Sequence, residues 1–245
     1  MKKNELIIAV GREKVQISSA AELMALLDVL DNKKDTAVIE QAGPALKTLI
    51  TNCRELIDLC LLLSDENRSL LFKKMDDSLC QTIGTVGSLA HLLALLADES
   101  SENALLKVIG RKGLHILIHN SDDLALLFEW VYDSSDELLL ELVGMNFILE
   151  KCKTGYEVAL ILQSLNAPMQ KKFLNKAGHL EISKRICSVK DLAYLLRAMT
   201  NEVSEGFLKQ LSPEVIRKVI RDENELKFYR TMIEAKEYHL LISKL

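Results

Sequence analysis

Seven cations recur in the last third of this chain, at matching places in a repeating pattern: Lys151, Lys153, Lys184, Arg185, Arg217, Lys218 and Arg221. If the repeats stack in register, these side chains line one ridge. Such a ridge suits an acidic protein surface, a phosphorylated peptide or anionic lipid heads. The charge distribution supports the idea: residues 151–245 carry 17 Lys/Arg against 11 Asp/Glu, whereas residues 101–150 carry 3 against 9. The competing reading is a solvated face, because helix C-termini favour cations regardless of any partner. A second group is aromatic. Phe128, Trp130 and Tyr132 cluster in one helical stretch. Phe128 falls on the core stripe, but Trp130 and Tyr132 fall off it, and exposed Trp and Tyr are enriched at binding hot spots. Packing inside the repeat is the alternative for both.

Catalytic chemistry has weaker footing. His115 and His119 are four residues apart and share a helix face, but no Cys or acidic residue stands at ligand spacing and H-E-x-x-H is absent. Cys152 and Cys187 occupy equivalent repeat positions, with His179 eight residues before the second. A Cys–His pair needs a third, orienting group, and small core residues explain both thiols more simply. The pairs Asp76-Asp77 and Asp122-Asp123 stand at turns or helix starts, where carboxylates favour the helix dipole. No G-x-x-x-x-G-K or G-x-G-x-x-G occurs, which argues against nucleotide chemistry. The expectation is a non-enzyme with no cofactor and no metal.

The elements that would position these residues are helices. Apolar residues make up 49% of the 245, aromatics only 5%, with 10 Gly and 3 Pro, a composition of helix formers. An acidic or small residue followed by an apolar one recurs at Glu22-Leu23, Glu55-Leu56, Ser88-Leu89, Asp123-Leu124, Glu157-Val158, Asp191-Leu192 and Glu225-Leu226. The unit is therefore 33–35 residues long. Each anchor opens an apolar stripe with further members at +3, +4 and +7, such as Leu26, Leu27 and Leu30, which is one face of a helix. A polar turn follows, then a second helix carrying an apolar pair such as Leu105-Leu106 or Phe173-Leu174. A shorter third segment closes the unit, as at Pro213 to Ile220, where Ser212 caps and Pro213 suits the first helical position. Gly43, Gly84, Gly110, Gly144 and Gly178 punctuate helix ends. One unit cannot bury its stripe alone, so neighbours must stack.

The expectation is an all-α chain: an α-solenoid superhelix of about six 33–35-residue helical repeats with capping half-repeats at both ends. It forms one domain over 1–245, with a cap or half-repeat at 1–18, six repeats over 19–222 and a C-terminal cap at 223–245. At the N-terminus the competing reading is a β-hairpin turning at Gly11-Arg12-Glu13. The layout resembles the α-solenoid superfamilies of tetratricopeptide, HEAT, armadillo and pentatricopeptide repeats. The step matches the tetratricopeptide length, but that family's Trp/Gly/Tyr pattern is missing, and the three-segment unit looks more like a shortened armadillo or HEAT repeat. The leucine- and lysine-rich style is similar to secreted effector proteins of intracellular bacteria. The resemblance implies a scaffold that binds another protein, an adaptor or regulator. A binder of single-stranded RNA or another polyanion through the basic C-terminal third is the runner-up, with the formal net charge of −4 against it. Five cysteines without a C-x-x-C pair fit reduced thiols and a cytoplasmic setting, in the bacterium or in a host cell. No apolar run is long enough for a transmembrane segment.

Overall fold

The computed structural model describes residues 6–96 and 98–245, so the first five residues of the expected N-terminal cap lie outside the described residues. It is almost wholly helical. The N-terminal segment is the exception and follows the hairpin reading, not the helical half-repeat. Strands β1 (Leu6–Val10) and β2 (Glu13–Ile17) pair antiparallel with Val10 opposite Glu13. Ile8 and Ile17 are wholly buried on one face, while Ile7 and Gln16 point out, the period-two alternation of a half-covered ribbon.

The helices follow in the expected order. Seven are opened by the recurring anchors: α1 (Ala20–Leu27), α4 (Cys53–Leu62), α7 (Val86–Leu95), α9 (Ser121–Trp130), α12 (Gly155–Gln163), α15 (Val189–Ala198) and α18 (Glu223–Met232). Each is followed by a second helix: α2 (Asn32–Ala42), α5 (Asp65–Met75), α8 (Glu99–Leu117), α10 (Asp136–Val143), α13 (Ala167–Ala177), α16 (Asn201–Gln210) and α19 (Ala235–Ile242). Short third helices come between: α3 (Leu46–Leu49), α6 (Ser78–Ile83), α11 (Met145–Lys151), α14 (His179–Ser183) and α17 (Pro213–Val219).

The physical meaning of the anchor is a reciprocal cap. In α4, Asn52 accepts the N–H of Glu55 at 3.1 Å, and the Glu55 carboxylate accepts the N–H of Thr51 at 2.7 Å. The same pattern recurs: Ser19, Asn120, Thr154, Ser188 and Asp222 accept the N–H of Glu22, Asp123, Glu157, Asp191 and Glu225, whose carboxylates accept the N–H of the residue before each cap, Ser18, His119, Lys153, Cys187 and Arg221. In α7 the carboxylate is missing, and Thr85 is paired with the Ser88 hydroxyl instead. The recurring acid is therefore the third helical residue, whose N–H the cap side chain accepts at about 1 kcal/mol per cap and whose carboxylate accepts a backbone N–H just before the helix; in α12 the two residues form a full capping box.

A second periodic feature is a left-handed residue between the second and third helices. Gly43, Gly110, Gly144 and Gly178 all have positive φ, and so does Asp76, which stands at the same place in its unit. At Gly110 (φ 61°, ψ −177°) the long helix α8 is broken into two.

The chain groups into two compact units. The first runs up to Ile118 and takes in Trp130–Leu142; the second is His119–Glu129 with Val143–Leu245. In the first, α1, α4 and α7 pack in series, as do α2, α5 and α8. The hairpin closes this unit: β1 lies on α2, and the Gln41 amide exchanges hydrogen bonds of 2.9 and 3.0 Å with the backbone of Ala9. In the second unit, α12, α15 and α18 form one series and α13, α16 and α19 another.

Candidate functional site

The basic residues are placed near the ends of the third helices, but most are occupied. Arg185 is a clamp. Its Nε donates to the carbonyl of Cys152 at 2.7 Å, one terminal nitrogen to Leu149 O at 2.6 Å and the other to Glu181 O at 2.6 Å. The side chain is 14% exposed, so it ties off the unsatisfied carbonyls of α11 and is not a surface charge. Arg217 donates twice to the carbonyl of Leu245. Lys184 pairs with Glu181, whose carboxyl is held below its usual range by that lysine. Arg221 reaches Glu225 at 3.8 Å. The Lys151 ammonium lies 4.9 Å from the centre of the Phe147 ring. Lys153 and Lys218 are exposed and make no ion pair among the described residues. Of the seven cations, these two are the ones most open to a partner.

The aromatic pair is better presented. Trp130 is 47% exposed and Tyr132 is 44% exposed, while Phe128 is buried as its offset requires. Trp130, Val131 and Tyr132 line a recess of about 240 Å³ together with Leu93, Ala94 and Leu96 from the end of α7. A buried carboxylate sets the backbone here: Glu102, wholly inaccessible, accepts the Tyr132 N–H at 3.1 and 3.3 Å through its two oxygens. Burial raises the pKa of this carboxyl.

Glu102 belongs to a series of buried polar residues near the starts of the second helices. Asn67 donates to the carbonyl of Asn32 at 3.0 Å and accepts from Thr36 at 2.7 Å. Arg68 bridges Asp65 and Asp98 and donates to the carbonyl of Cys60. Gln170 donates to the carbonyls of Leu162, Leu165 and Ala198 and accepts from Thr200 N–H at 2.9 Å. Ser204 donates to Glu237. Each of these side chains reaches an element about 30 residues away in the chain, stapling neighbouring helices through groups that must be satisfied once buried. Sequence reasoning missed them because it searched these offsets for apolar residues. The available signal was the even step of 34 from Glu102 to Asp136, Gln170 and Ser204. Asp136 differs from the others: it is buried, neither carboxylate oxygen has a hydrogen-bond partner, and its pKa is pushed up to about 7 by burial and by the charges of Asp133 and Glu102.

The remaining candidates lie apart. Cys152 is wholly buried and its thiol is pushed up to about 12 by burial, so it holds no thiolate at neutral pH. Cys187 is exposed, with its sulfur 3.9 Å from the Lys184 carbonyl. His179 stacks on Phe207 with centroids 5.5 Å apart, and burial lowers its pKa. His115 lies in the last turn of α8, and His119 follows that helix, where its N–H donates to Asp123. Asp77 flanks the start of α6 and Asp122 lies in the first turn of α9. Among the described residues no three His, Cys, Asp or Glu side chains are grouped to hold a metal ion, and no helix is long and apolar enough to cross a membrane.

No family model, no curated protein and no solved structure matches this chain. The site must be read from its own geometry.

Proposed function

We propose that the chain is a non-catalytic α-solenoid module of armadillo or HEAT type that binds another protein, as an adaptor or a regulator. The observation that carries this reading is the half-exposed Trp130–Tyr132 pair beside an apolar recess, on a turn fixed by buried Glu102. A large aromatic held rigid and half wet has much to gain from a partner and little side-chain entropy left to lose. Capping boxes and buried staples supply the rigid support. The thinning of the basic ridge moves weight away from the polyanion reading, since Arg185 and Arg217 already serve backbone carbonyls. The five free thiols suit a cytosolic setting, in the producing cell or, for a secreted effector, in its host.

The test is affinity capture followed by mass spectrometry with three forms of the full chain: unaltered, Trp130→Ala with Tyr132→Ala, and Lys153→Glu with Lys218→Glu. A protein retained by the first and third but lost from the second supports the reading. Retention by all three contradicts the aromatic site. Arg185 is unsuitable for such a charge-reversal test, because its loss disturbs α11 and α14 directly.

A further inference from the structure

The recess at Trp130 is one end of a longer feature. The residue ten places after each cap, where the first helix runs out, is Val29, Leu62, Leu95 and Trp130 in successive units. Val29 is 75% exposed, Leu62 42%, and Leu61 beside it 55%, while Leu95 is partly exposed. Because α1 packs on α4 and α4 on α7, the first three stand at equivalent points of stacked helices, about 10 Å apart. Exposed Ala94 and the floor of the recess, formed by buried Leu93 and Leu96, then lead to Trp130 and Tyr132. Single exposed apolar residues need no explanation. A row of them at the same phase of successive repeats does, because folding gains nothing from it and solubility suffers.

The charges at these turns say what covers it. Asp28, Asp31, Asp65, Glu66, Asp98 and Glu99 stand within four residues of the row in the chain, against Lys33 and Lys34 within five and Arg68 within six. Lys34 is paired with Asp31, and Arg68, only 12% exposed, with Asp65 and Asp98. Asp28, Glu66 and Glu99 are exposed and in no ion pair among the described residues. We propose that the row Val29–Leu62–Leu95–Trp130 docks a basic amphipathic segment of a partner protein, its apolar side chains seated on the row and its Lys or Arg side chains paired with the acids beside it. The segment's apolar residues must recur about every 10 Å, which is three residues of extended chain or seven of helix. This rests on the protein-binding reading above and specifies its partner.

The experiment selects random 15-residue peptides displayed on phage against the immobilised full chain. Isolates are then measured as synthetic peptides by their effect on the emission of Trp130, the one tryptophan of the chain. Peptides are also compared by calorimetry on Leu62→Ala, on Trp130→Ala, and on a triple variant Asp28→Asn, Glu66→Gln, Glu99→Gln. All these positions are exposed, and circular dichroism checks that each variant keeps its helices. The expected result is enrichment of peptides with net positive charge and apolar residues at three- or seven-residue intervals. Their affinity falls at least ten-fold in Leu62→Ala and Trp130→Ala, falls several-fold in the triple variant, and weakens with added salt. Neutral or acidic peptides that need Leu62 and Trp130 but ignore the triple variant would overturn the basic partner and leave the binding surface standing. Peptides indifferent to all the variants would overturn both. Concentration-dependent self-association that blocks peptide binding, seen by sedimentation, would replace the partner segment with a second copy of the chain.

Discussion

The two units use the same internal devices and present different edges. At the tenth position after the cap, the first unit shows Val29, Leu62 and Trp130 to solvent, with Leu95 partly covered. The second places Ser164, Ala198 and Met232 there, of which Ala198 is 6% exposed and the others partly covered. Their buried staples differ as well. In the first unit these include charged groups: Arg68 with Asp98, then Glu102 and the unpartnered Asp136. In the second, Gln170 joins α12, α13 and the end of α15 with neutral hydrogen bonds, and the carboxylate staple Glu237 is partnered by Ser204. The caps barely change between units because every helix start leaves the same donors unpaired. The edge varies: packing buries Ala198 and leaves Val29 and Leu62 open, so a large apolar residue kept open there reports on something outside the fold.

One charge placed at the same phase in both units should give the largest difference between them. Ala198→Asp buries a carboxylate with no partner and should cost about 3–4 kcal/mol, while Leu62→Asp should stay within about 0.5 kcal/mol. Urea unfolding of the two variants decides, and equal losses would show that Leu62 is part of the core.

Next in size is a pH effect confined to the charged staples. An unfolded Asp ionises near pH 4, whereas folded Asp136 keeps its proton to about 7. Between these values the unfolded state holds fewer protons, so stability falls as pH rises through that window and levels off above it. Asp136→Asn should remove this slope and gain up to about 3 kcal/mol at pH 8 while changing little at pH 4. Unfolding curves at the two pH values measure it.

In the second unit, Gln170→Ala leaves the carbonyls of Leu162, Leu165 and Ala198 and the N–H of Thr200 without that partner. A loss of about 2 kcal/mol is expected, with no pH dependence between 5 and 8. The smallest effect is a gain. Asp76 holds φ at 42° where four other units have glycine, so Asp76→Gly should stabilise by about 1 kcal/mol, read as a rise in urea midpoint.

Much of the helical layout was legible because two strong local rules repeat. Leucines at +3, +4 and +7 mark a buried face, and the acid before them bonds back to the backbone just ahead of the helix, as at Glu55 and Asp191. The hairpin was legible only as the second choice, because Val10-Gly11-Arg12 resembles a stretch of α8 whose glycine breaks a helix instead. The basic ridge was read from spacing alone. Spacing places Arg185 near the surface but cannot say that three carbonyls lie within its reach. Trp130 and Tyr132 were found because their offsets leave the stripe, yet Val29 and Leu62 were passed over: in a leucine-rich chain an apolar residue at a helix end looks like more core. Exposure is a property of the stack, and no single unit's pattern contains it.

Amide hydrogen exchange of the full chain, with and without a peptide selected as above, tests the central claim most directly. Exchange should slow at the turns 28–34, 61–66, 94–96 and 129–133, and stay unchanged at the equivalent turns 163–167, 198–201 and 232–235. Protection confined to those later turns, or centred on Lys153 and Lys218, would contradict it.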